Sequence, residues 1–132
     1  MKRIYDTGIE TNRINCAIKI GTVGVAYTAI YIARSGGQWS KIKESTTNSG
    51  NIKAFALGKA ASLKNSYLVI RTIIDLSNID KSLWKNQEDN IVARYYFKGG
   101  FSASQVYNQD TDDVISSPDG KIIVISKPIQ LI

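Results

Sequence analysis

The chain has 132 residues, 43% hydrophobic and 21% charged, with 17 Lys or Arg against 11 Asp or Glu for a net charge of +6. Its one cysteine, Cys16, excludes an intramolecular disulfide, a redox pair and a multi-cysteine zinc site. The absence of histidine removes the commonest general base and metal ligand near neutral pH.

Length and composition predict one soluble domain, 1–132, with a core large enough to need no staple. Residues 1–12 are polar and read as an extended N-terminal arm. The opening lacks the apolar segment of a signal peptide. The longest weakly polar run, 21–33, is too short to span a bilayer. A cytoplasmic location and no membrane partner are expected.

Residues 13–20 alternate, placing Ile14, Cys16, Ile18 and Ile20 on one face and Arg13, Asn15, Ala17 and Lys19 on the other, the pattern of a half-buried strand. After a turn at 21–22, residues 23–34 form a second strand in which Gly24 marks a bulge. Ser35-Gly36-Gly37 turns the chain into a third strand at 38–44. A polar loop at 45–50 precedes a strand at 51–57, and 58–65 is a loop or one helical turn.

The stretch 67–76 is the richest in β-branched and aromatic residues. Leu68, Ile70, Thr72, Ile74 and Leu76 face the core, and Tyr67, Val69, Arg71, Ile73 and Asp75 face outward. The connection 77–90 holds Trp84 and a short helix capped by Asn78 or Asp80. Residues 91–98 alternate again, and Gly99-Gly100 turns into a hairpin partner at 101–107. An acidic loop at 108–113, a short apolar step at 114–115 and a turn at 116–120 lead to a last strand, 121–132. Its Pro128 predicts an edge or a bend. About eight strands with little helix predict an all-β antiparallel sandwich, jelly-roll-like or a partly closed barrel.

Nucleophilic catalysis lacks its base, because Cys16 lies on an apolar face and no histidine can activate it. No catalytic residue is assigned, the chain is read as non-enzymatic, and no cofactor is expected. The spacing of Asn108, Asp110, Asp112 and Asp119 matches the oxygen ligands of a calcium loop. Asp113 stands where such a loop needs glycine, so the acidic hairpin reading is preferred and no metal is assigned. Trp39 and Trp84, each beside a loop, are candidates for a sugar platform or for plugs at the ends of the core.

Strands consecutive in sequence tend to pair. The outward residues Tyr67 and Arg71 of one central strand and Arg94, Tyr96 and Lys98 of the next are therefore expected side by side. Aromatics interleaved with cations suit a protein hot spot, and also the stacking and phosphate contacts of a nucleic-acid surface. The expected function is a non-catalytic binding or structural module acting through another protein or self-association. A nucleic-acid-binding sheet is the alternative, and a calcium- or carbohydrate-binding sandwich is third.

Overall fold

Nearly every second residue of the alternating stretches is apolar. In the computed structural model, which describes residues 1–34, 36–101 and 103–132, these residues close into one core cluster between two sheets. In chain order the strands are β1 (Arg3–Tyr5), β2 (Arg13–Gly21), β3 (Val25–Ala33), β4 (Ser40–Glu44), β5 (Ile52–Lys59), β6 (Tyr67–Asp75), β7 (Val92–Gly100), β8 (Ala103–Asn108), β9 (Val114–Ser116) and β10 (Ile122–Leu131). The larger sheet runs β1-β10-β6-β3-β4 with β9 also on β10, and the smaller runs β5-β2-β7-β8. The protein is an all-β sandwich with open sheet edges, not a closed barrel. All strand pairs are antiparallel except β1 with β10.

The core is the one that the alternation predicts. Ile14, Ile18, Leu68, Ile70, Ile74 and Tyr95 are fully buried, and Cys16 and Phe97 nearly so. Thr72, also on the inner face of β6, meets its cross-strand partner Thr28 with the two hydroxyl oxygens 2.8 Å apart. That contact satisfies both buried hydroxyls.

Helix is confined to α1 (Ala60–Leu63) and α2 (Trp84–Asn90), with short 3-10 turns at Lys81–Leu83 and Thr111–Asp113. Asp80 caps the first of these by accepting from the Ser82 amide at 2.9 Å. Among the described residues, no helix is long and apolar enough to cross a membrane.

Three local expectations are corrected. Residues 3–5 are not part of a free arm but strand β1, in parallel register with Ile129 to Leu131. This strand and β9 are three residues each, too short to display alternation. Gly24 is no bulge; it precedes β3, where a Cβ would come within 2.7 Å of Leu76 and 2.9 Å of Ile74. Gly99 and Gly100 belong to β7 rather than to the turn: Gly99 has φ +99°, and a Cβ there would stand 1.9 Å from the Arg13 carbonyl oxygen. Ser35 of the 35–37 turn and Ser102 of the 101–107 hairpin strand lie outside the described residues.

Pro128 sits inside β10, in the interval between the residues paired to β9 (Ile123–Ile125) and those paired to β1 (Ile129–Leu131). On that side of β10, residues 126–128 have no strand partner, so a residue without an N–H is tolerated.

Candidate functional site

The central strands do not pair. β6 lies between β3 and β10 in the larger sheet, whereas β7 lies between β2 and β8 in the smaller one. The connection carrying α2 crosses from one sheet to the other, which overrides the tendency of consecutive strands to be neighbours. Tyr67 and Arg71 therefore face outward on one side of the sandwich, and Arg94, Tyr96 and Lys98 on the other. The expected five-residue face is two faces.

On the larger sheet the cross-strand registers assemble apolar rows. Tyr27, Ile73, Val124 and Ile115 stand opposite one another across β3, β6, β10 and β9. Four residues further along, Tyr31, Val69 and Pro128 form a second row, beside which Trp39 is 52% exposed. Between the rows lies Arg71, opposite Ala29 and Ser126. Among the described residues Arg71 forms no salt bridge. Tyr31, Trp39, Val69, Arg71 and Ser126 line a shallow hollow of about 290 Å³. Lys2 stands over the Tyr67 ring at 5.5 Å, and at the β4 edge Glu44 accepts from both Tyr27 and Lys41.

The smaller sheet is of opposite character. Its four strands contain six exposed cations, Arg13, Lys19, Lys53, Lys59, Arg94 and Lys98, and no carboxylate. Lys19 stands directly opposite Arg94, and Arg13 directly opposite Lys59. Half-buried Tyr96 lies between Ala17 and Val106, with the Lys19 ammonium 5.8 Å from its ring centre.

The calcium-like spacing resolves into something else. Residues 111–113 form a 3-10 turn with an Asp110/Asp113 capping box. The carboxylates that converge are Asp110, Asp112 and Asp113. Asp119 instead accepts from Ser117 Oγ and the Lys121 amide in the following turn, and Asn108 ends β8. The converging acids are held by cations from both ends of the chain. Arg3 donates through Nε and Nη2 to the two oxygens of Asp110, at 3.2 and 2.6 Å. Lys127 Nζ donates to Asp110 and, at 3.0 Å, to Asp113. The N-terminal amine reaches Asp112 at 2.6 Å and Asp113 at 2.9 Å.

No family model, curated protein or solved structure matches this chain. Its surfaces and this cluster carry the functional argument.

Lys127 is the residue that sequence reasoning missed. It is fully buried on the inner face of β10, in phase with Ile123, Ile125, Ile129 and Leu131. That phase is readable in the sequence, although a lone lysine reads as surface. With Arg3 and the two aspartates, it fills the interval where β10 lacks a strand partner. Trp84 plugs one end of the core, its indole N–H donating to the Leu76 carbonyl at 3.0 Å. Burial pushes the Cys16 thiol up to about 12, so the thiolate a nucleophile needs is not formed near neutral pH.

The Asp110 carboxyl is lowered to about 2, first by the Arg3 hydrogen bonds and then by Lys127. A depressed carboxylate contributes stability in full above its unfolded value, near 4, and loses it as pH falls through the folded value. Wild-type denaturation midpoints should therefore drop between about pH 4 and pH 2. Other lowered aspartates, such as Asp75, Asp80 and Asp119, act in the same direction. The test is the difference between wild type and Asp110→Asn, which should shrink as pH falls through this window. A constant difference would detach Asp110 from the acid response.

Proposed function

We propose that this chain is a non-catalytic binding module acting through protein–protein contacts, and that the outer face of the larger sheet is its contact surface, with a second copy as partner. The observation that carries the reading is a pair of outward apolar rows, Tyr27–Ile73–Val124–Ile115 with all but half-buried Val124 exposed, and half-buried Tyr31–Val69–Pro128 beside exposed Trp39, around Arg71, which has no salt bridge among the described residues. Aromatic residues and arginine are the anchors enriched in hot spots, and a contiguous exposed apolar patch marks an interaction site.

The six strands of the larger sheet, three to ten residues long, present roughly 600 Å² at about 3.3 Å per residue and 4.8 Å between strands, against about 800 Å² per partner in a standard interface. The polar pattern also suits a copy of itself. Asp75 stands four residues from Arg71 on the same face of β6. In a two-fold face-to-face arrangement with its axis at Ile73, Arg71 of each copy would meet Asp75 of the other.

Light scattering on Ile73→Glu and Tyr27→Ser tests the choice of face. Both should shift wild-type oligomer toward monomer, while Val92→Glu on the smaller sheet should not. Equal effects from all three variants would overturn the assignment.

A further inference from the structure

We infer that the outer face of the smaller sheet is a second, separate site, and that it takes single-stranded nucleic acid. The six exposed cations of β2, β5 and β7, with no carboxylate in that sheet's strands, match the whole net charge of +6. The larger sheet, by contrast, mixes Asp75 and Glu44 with its cations. Asp75 would have opposed anion binding had β6 and β7 shared a face. It lies on the other side of the sandwich.

The arrangement also opposes folding. Like charges directly opposite across strands are destabilising, and this sheet holds two such pairs, Lys19 with Arg94 and Arg13 with Lys59. No acid in the sheet's strands relieves them. A polyanion lying across the strands would neutralise both pairs at once, releasing its own counterions as it did so.

The surroundings of Tyr96 select the polyanion. Tyr96 stands between Arg94 and Lys98 on its strand and between Ala17 and Val106 across it. Tyr96, Lys98, Ala17 and Val106, with Ala54 and Lys19, border a hollow of about 270 Å³. A half-buried aromatic in a small apolar hollow rimmed by cations suits a stacked base with phosphates on either side. An acidic peptide would use the cations but not the ring. An anionic membrane would need an apolar anchor on this face larger than the exposed Val92 and Val106; the exposed Phe101 lies outside the strands, in the β7–β8 connection.

The test is fluorescence anisotropy of a labelled oligodeoxythymidine with the full chain across a salt series. Affinity should fall with a log–log slope of about −3, corresponding to four or five phosphate contacts at about 0.7 each. Tyr96→Ala should weaken binding about tenfold, and Lys19→Glu combined with Arg94→Glu should abolish it. Lys81→Glu, at an exposed lysine in the 3-10 turn outside both sheets, should leave it unchanged. The single variant Arg94→Ser, which removes a repulsion, should melt no lower than wild type and still lower the slope. Binding that ignores Tyr96 and is competed equally by polyglutamate would overturn the inference in favour of an acidic peptide. Tighter binding to phosphatidylserine vesicles than to oligonucleotide would overturn it in favour of a membrane. Because the site lies on the opposite face, none of these outcomes bears on self-association through the larger sheet.

Discussion

Asp113→Ala should lower the free energy of unfolding by about 3–5 kcal/mol, the cost typical of breaking a buried ion pair by removing one partner. Lys127 has no exposed side-chain surface and Asp113 only 1%. Without Asp113, the ammonium keeps only Asp110, which it shares with Arg3. The substitution also removes the acceptor for the Asp110 amide, bonded at 2.7 Å, and with it half of the capping box. Pairing with Lys127→Met separates the contributions. A buried pair replaced on both sides is often neutral, so Asp113→Leu with Lys127→Met should be less destabilised than Asp113→Ala alone. Urea denaturation of the two variants provides the check. A loss below about 1 kcal/mol for Asp113→Ala would mean that the cluster is solvated and does not close the sheet.

Ile70→Ala should cost about 2–5 kcal/mol, whereas Ile73→Ala should cost less than about 1. The two residues are three apart on β6, but Ile70 is fully buried and Ile73 is 39% exposed on the outer face. Emptying the Ile70 site removes packing against both neighbouring strands, since its cross-strand partners are Ile30 and Lys127. The lysine stem lies opposite Ile70 in register, so the effects of Ile70→Ala and Lys127→Met should not add. Similar losses at positions 70 and 73 would place β6 in the core by both faces and remove the outer surface on which self-association depends.

Much of this architecture is legible in the sequence because alternation is local. Strands β2, β6 and β7 follow from the period-two pattern of their apolar residues, and the buried set Ile14, Ile18, Leu68, Ile70, Ile74 and Tyr95 follows from its phase. Which sheet each strand joins is not local. The pairing of β6 with β10 and β3 is decided by packing over the whole chain, so the expected union of Arg71 with Arg94 and Tyr96 failed although each residue's outward direction was right.

The acidic segment shows the same limit. Its oxygen-rich spacing is visible, but the cations that occupy it come from far away: Arg3 lies 107 positions from Asp110. Lys127 was hidden for a different reason. Its position in the β10 alternation marks the core, and its chemistry argues against that position until Asp110 and Asp113 are known to meet it.

Sedimentation velocity over a range of concentration and salt tests self-association through the larger sheet most directly. The apolar rows predict a species heavier than the 14.6 kDa monomer. It should persist at high salt, because apolar burial is not screened, and return to monomer in Ile73→Glu. A 14.6 kDa species at every concentration, or an assembly that dissolves with salt and survives Ile73→Glu, would contradict the account.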